Sequence, residues 1–365
     1  MSTVPTSEVE LLDNELDADL RATVRSFLSE RCEPAEVVKA YDGDSSLAPV
    51  LWKGLSVELG LAGLLVPESY GGAGASAREA AVVLEELGRS VAPVPFLTSA
   101  VVATSALLVA PTEKGVELLG GLAAGERTAA LVVPLTATTT QPLEPEEVTV
   151  RSVAGALEAD TLLVPVATPA GTEVRAVPAG QATITPVSSL DMTRQLADVR
   201  LDPAAGEIVV SAEHGADAVR SALLAGAALM ASEQVGVAQW CLTATVEYLK
   251  VRRQFGRIVG GYQALKHRLA DLYTGVEGAG AAARYAAGAL ALGNEEEAQI
   301  ATHVAAAYCG DLAVTAAEEA VQLHGGIGMT WEHPAHLYLK RAKADQIAFG
   351  LPGLHRDRLG ALVDL

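Results

Sequence analysis

The sequence predicts an α+β protein in three parts: a helical N-terminal domain over residues 1–126, a small β domain over 127–212 and a helical bundle over 213–365. Three observations carry that prediction. Apolar residues recur at helical spacing in the first and last parts, while the middle breaks into short β-branched runs. At 365 residues the chain has room for two or three domains. Half of the residues are hydrophobic but only 4% are aromatic, so the apolar content is mainly Ala, Leu and Val, which suits closely packed helices.

Taken in order, Leu20, Val24, Phe27 and Leu28, then Ala80, Val83, Leu84 and Leu87, mark helical stripes between Leu11 and Leu122. Pro34, Pro67 and Gly71-Gly72 divide that region into several helices. The β-branched runs include Ala129 to Val133, Val148 to Val153, Thr161 to Val166 and Glu173 to Val177, with Pro, Gly, Thr and Ser between them. The polar segment Thr136 to Glu147 is expected to be a loose loop. Four long helices follow: Val219 to Arg253, Gly261 to Leu292, Glu295 to His324 and Pro334 to Ala348. With little but Gly or Pro at their joints they read as a four-helix bundle, and their Ala-rich faces permit close approach of another subunit.

A net charge of −19 argues against nucleic acid or an anionic membrane as a partner held by a general field, and leaves room only for a local basic patch on a phosphate. Cys32, Cys241 and Cys309 are widely separated and lack metal-ligand spacing, as expected of reduced thiols. Met1 to Asp19 is acidic where a secretory leader is apolar, and Ala222 to Met230 meets Glu233 short of a bilayer-spanning length. The expectation is a soluble cytoplasmic protein.

Chemistry concentrates near the C-terminus. Arg252-Arg253-Gln254-Phe255-Gly256 offers a guanidinium fork suited to a pyrophosphate. The run Gln322-Leu323-His324-Gly325-Gly326-Ile327-Gly328 offers a Gly-Gly turn at which backbone N–H groups approach an anion unobstructed. Each also has an ordinary structural reading, a solvated helix end near Glu247 and a helix C-cap. Joined with Gln263, Leu61 to Gly72, Thr330-Trp331-Glu332-His333-Pro334 and Gln346-Ile347-Ala348-Phe349-Gly350, the set resembles the flavin-dependent acyl-CoA dehydrogenases. The likeness covers nearly the whole chain. It is strongest over Val246 to Tyr273 and Gln322 to Ala344, and weak through the β region.

The resemblance implies an FAD lying between subunits, its ring held by one and its adenosine diphosphate part reached by a neighbour. The neighbour-reaching residues it assigns are Arg252, Phe255, Gln263, Gln322, Leu323, His324, Gly325 and Gly326. The family's reaction needs a base for the α-proton as hydride leaves the β-carbon for the flavin. In most members that base is a Glu directly before a Gly, and here the position is Phe349, which cannot ionise. The alternative position on the first long helix falls at Gly226, with Ala227 where an arginine often follows. Glu233, two helical turns further on roughly the same face, is the one nearby substitute, and its ordinary reading is a polar helix or subunit contact.

Other departures point the same way. The Thr-Glu-Pro and Gly-Ser-Asp segments and the Trp-bearing strand that hold a member's own flavin are absent between Arg127 and Asp202, and Leu351, Pro352 and Gly353 replace polar adenine contacts. The expectation is a subunit with no catalytic residue of its own, sharing FAD with a homologous partner that supplies the catalytic Glu in an α2β2 heterotetramer. Its implied substrate is an acyl-CoA, with steroid side-chain thioesters as the analogy, and its implied electron acceptor is an electron-transfer flavoprotein or similar. Two alternatives stand beside it: an autonomous dehydrogenase using Glu233 or a substrate group as base, and a non-catalytic structural subunit without flavin. His324 reads as a packing residue, Glu332 as ordering its turn, and His214, His267 and His303 show no metal spacing.

Overall fold

Helix α1 (Glu15–Arg31) starts where Asn14 accepts from the Asp17 amide and Asp17 accepts from the Asn14 amide, satisfying two N–H groups at the helix start. It opens a computed structural model that describes residues 9–138 and 148–364. Helices α2 (Pro34–Val38), α3 (Leu47–Lys53), α4 (Ala77–Ser90), α5 (Thr104–Leu108) and α6 (Glu113–Ala123) complete the first region. Pro34 begins α2, and Pro67 and Gly71-Gly72 fall in the turns before α4, as their chemistry predicts. A π-helical stretch, Phe96–Ala103, runs into α5, and the Thr104 hydroxyl bonds the Ser99 carbonyl five residues back at 3.0 Å.

The middle region holds β1 (Ala129–Leu131), β2 (Val148–Ala154), β3 (Thr161–Thr168), β4 (Gly171–Pro178), β5 (Thr183–Val187), β6 (Leu196–Leu201) and β7 (Glu207–Val210). They form a four-stranded sheet ordered β1-β3-β4-β7, parallel only at β1/β3, and a three-stranded antiparallel sheet ordered β2-β6-β5. Val150, Val153, Leu162, Val164, Ala197 and Val199 bury a core shared by the two sheets. The four runs picked out in the sequence are β1 to β4. Strands β5 to β7 are additional, and of the expected loose loop the stretch 139–147 lies outside the described residues.

The last region contains α7 (Gly215–Val251), a ribbon of β8 (Arg253–Gln254) and β9 (Arg257–Ile258), then α8 (Gln263–Leu292), α9 (Glu295–His324), α10 (Ala335–Ile347) and α11 (Pro352–Leu362). The four expected helices are α7 to α10. Helix α11, opened by Pro352 in its first turn, and the ribbon were not foreseen. Two of these helices are long and apolar enough to cross a membrane, but 89% and 61% of their apolar windows are buried inside the fold, so they are core helices.

Helix α7 passes through the middle of the molecule. It crosses α4 at a mutual glycine notch: a Cβ on Gly236 would stand 1.9 Å from the Glu85 carbonyl oxygen, and one on Gly88 would stand 2.1 Å from that of Glu233. Ala228, Ala231, Ala279, Ala283, Ala301 and Ala305 close the α7–α8–α9 contact, and a larger core joins the N-terminal helices to α7 and α10.

Candidate functional site

The end of the bundle gathers every residue expected to face a neighbouring subunit. Arg252 caps α7, donating its N–H to Tyr248 at 2.9 Å and accepting from Val259 at 2.8 Å, which closes the β8–β9 ribbon. Phe255 and Gly256 form its tip with φ of 53° and 77°, a two-residue turn with both angles positive. An aromatic residue there carries about 1–3 kcal/mol of backbone strain, and its side chain is 89% exposed. Gln263 opens α8 and lies 3.3 Å from His267.

Helix α9 reaches the same place. The Tyr248 and His324 rings are 4.5 Å apart, and Arg268 of α8 pairs with Glu319 of α9 at 2.6 Å. Gln322, Gly325 and Gly326 are exposed and Leu323 is half-buried, while His324 is buried between Tyr248 and His333 with Nδ1 2.7 Å from the Ala320 carbonyl. Burial lowers the His324 pKa, as expected of a packing histidine. Gly325 has φ +65°, and nothing lies within 4 Å of a Cβ placed on it or on Gly326. An open backbone turn at the same end of the bundle as exposed Arg252, which pairs with no carboxylate among the described residues, fits an anionic group such as a pyrophosphate.

The two positions that could carry a base meet each other instead of a ligand. Phe349, with φ 55°, packs its buried ring against Gly226: a Cβ on Gly226 would stand 2.6 Å from Phe349 Cζ. The Phe349 N–H is bonded to the Leu135 carbonyl at 2.8 Å, and the Leu135 N–H to the carbonyl of Ser152, in the β2 bulge, at 3.0 Å. The loop after β1, the β2 bulge and the α10–α11 turn are therefore closed directly on one another.

Glu233 does not face this place. Arg194 grips its carboxylate at 2.6 and 2.7 Å, and Arg341 donates to it as well. Arg341 also binds Asp191 and Thr193, each at 2.5 Å, and Arg194 donates to Asp345. Burial alone would raise the Glu233 pKa, but the Arg194 and Arg341 guanidiniums outweigh it and hold the group below the usual carboxylate range. An ionised carboxylate held by two guanidiniums is a weak proton acceptor, which speaks against an autonomous enzyme based on Glu233. Asp345 goes the other way, pushed by burial up to about 7, with one oxygen unpartnered among the described residues.

These arginines were missed in the sequence because they lie 39 and 108 residues from Glu233. Tyr248, which seats His324, was also missed, although it stands one helical turn before Arg252. Leu351 precedes α11, Pro352 and Gly353 begin it, and all three belong to a helix start with no side-chain cap.

Fold and site together define an oxidoreductase architecture of helices, a small β region and a helical bundle. Residues 14–126 match the family model for the acyl-CoA dehydrogenase N-terminal domain and residues 213–363 that for the C-terminal domain, so the chain belongs to the acyl-CoA dehydrogenase family. It is 38% identical over 329 residues to the acyl-CoA dehydrogenase IpdE2 of Mycobacterium tuberculosis, covering 88% of this chain and 89% of that one. Among solved structures it superposes on a Tcur3481-Tcur3483 steroid acyl-CoA dehydrogenase variant with TM-score 0.85 and 27% identity, over 96% of this chain and 98% of that one. The ChsE4-ChsE5 complex from Mycobacterium tuberculosis follows at TM-score 0.83 and 26% identity, over 97% and 99%.

Proposed function

We propose that this chain is the base-less subunit of a heteromeric, FAD-dependent acyl-CoA dehydrogenase that desaturates an acyl-CoA thioester. One observation carries the reading: the places for a base are filled by the Phe349 ring against Gly226, while the bundle end that would reach into another subunit stays open. That two structural relatives are described as two-protein assemblies, one of them a steroid enzyme, supports a homologous partner and a bulky steroid-type substrate.

In this reading FAD, when bound across the interface, supplies the hydride acceptor. Arg252 forks onto the pyrophosphate, Gly325 and Gly326 offer backbone N–H groups, Gln263 and Gln322 supply amide hydrogen bonds, Leu323 and His324 shape the turn, and Phe255 wedges against the partner. The partner supplies the catalytic Glu and the flavin-ring pocket in an α2β2 assembly of the cytoplasm, and an electron-transfer flavoprotein or similar carrier takes the electrons. Co-expression with a base-bearing homologue is expected to give a yellow complex with half a flavin per chain. A yellow, active assembly of this chain alone overturns the proposal, and a native assembly without flavin favours a purely structural subunit.

A further inference from the structure

A second opening is left unused by the flavin reading. A cavity of about 430 Å³ lies between α7, the first turns of α9 and α11, and the Phe349 turn, within the size range of small-molecule sites. Leu223, Leu224 and Phe349 give it an apolar wall, and Thr302, His303, His355 and Arg358 a polar one. Thr302, His303 and His355 are 0%, 9% and 3% exposed.

The polar wall is incompletely satisfied. The His303 and His355 Nδ1 atoms are 2.9 Å apart, so one ring donates to the other across a single proton. Burial, His355 and Arg358 push the His303 pKa down to about 4, and burial and Arg358 lower that of His355, so the pair is neutral near pH 7. The Thr302 hydroxyl has no hydrogen-bond partner among the described residues, and His355 Nε2 has none of good geometry, although the Phe349–Gly350 backbone lies beside its ring. Arg358 donates to the Thr138 hydroxyl at 3.0 Å, and no carboxylate among the described residues pairs with it. A buried polar group left unpaired costs about 1–3 kcal/mol, and several in one cavity mark where a ligand's acceptors belong. The acidic residues, Asp217 paired with Arg220 and exposed Glu295, belong to the solvent-facing rim. Two imidazoles without a third ligand do not make a metal centre, and no metal-type cluster occurs among the described residues.

We propose that this cavity binds a small amphipathic carboxylate, its head against Thr302, His355 and Arg358 and its hydrocarbon on Leu223, Leu224 and Phe349. The test is calorimetric titration of the full chain, in the assembly in which it purifies, with sodium octanoate, 1-octanol and sodium acetate. Octanoate is expected to bind with a sub-millimolar Kd, and octanol and acetate each at least about tenfold more weakly. Thr302→Val, which keeps the side-chain shape, and Arg358→Gln, at a less buried position, are each expected to weaken octanoate about tenfold or more. Octanoate binding should also take up a proton at the histidine pair, seen as a heat that depends on buffer ionisation and is lost in His355→Gln. No octanoate binding up to about 10 mM, octanol binding as tightly as octanoate, or unchanged affinity in both Thr302→Val and Arg358→Gln overturns the assignment.

Discussion

The Phe349 ring stands where a side chain on Gly226 would have to go, with a Cβ there only 2.6 Å from Phe349 Cζ and 3.1 Å from Val102 Cγ2. Gly226→Ala is therefore expected to overpack the site and cost about 1–3 kcal/mol, and Phe349→Ala to cost about 3–5 kcal/mol through the cavity it leaves. In the double variant the added methyl enters vacated space, so the total falls short of the sum. Guanidinium denaturation of the four proteins measures this coupling. Simple additivity would mean the two residues do not contend for one space.

Glu233→Gln should act on stability and leave chemistry alone. It removes the carboxylate shared by half-buried Arg194 and buried Arg341, and breaking such a network from one side costs about 3–5 kcal/mol. Turnover per folded assembly is expected to stay within about twofold. A variant with normal stability and abolished turnover would reinstate Glu233 as the base.

Asp345 gives the fold a pH signature. Its pKa, pushed by burial up to about 7, lies above the unfolded value of about 3.9. Between those values the folded chain binds more protons than the unfolded one, so this group's contribution is full below about pH 4 and is lost as pH rises towards about 7. His303, held down to about 4, works in the opposite sense between about 4 and 6.5. The useful quantity is thus the difference between wild-type and Asp345→Asn melting temperatures at pH 5 and pH 8. The variant should gain on the wild type at the higher pH, and a constant difference rules the titration out.

Arg252→Ala is expected to leave stability within about 0.5 kcal/mol, as for other exposed positions, and to lower the flavin content of the co-purified assembly by about half or more. Arg252→Lys keeps the charge without the fork and should fall between. Flavin absorbance per protein is the readout, and an unchanged ratio in Arg252→Ala removes that residue from the cofactor's surroundings.

Long regular elements were legible because 30 to 37 residues of helical spacing leave little ambiguity. Helix α11 was not foreseen, although Pro352 in its first turn is a residue suited to a helix start. Strand β6 carried its signal in the alternation of buried Ala197, Val199 and Leu201, but β5 pairs exposed Thr and Pro residues at a sheet edge and has almost none. The motif at the bundle end could be read locally, since its parts are consecutive residues. The surroundings of Glu233 could not. Seven residues of α7 return to nearly the same face, yet Gly226 meets Phe349 while Glu233 meets Arg194 and Arg341, because the neighbours change along a helix that threads the whole molecule.

The strained Phe255 tip carries a consequence for the economy of the cell. Together with Met329, 78% exposed, and Trp331, 62% exposed, it displays apolar surface at the end of the chain's bundle. In the heteromeric assembly proposed above, an unmated copy would offer chaperones and proteases a ready handle, and steady-state abundance would follow the scarcer of the two mates. Balanced synthesis of the two would then trace back to a two-residue turn.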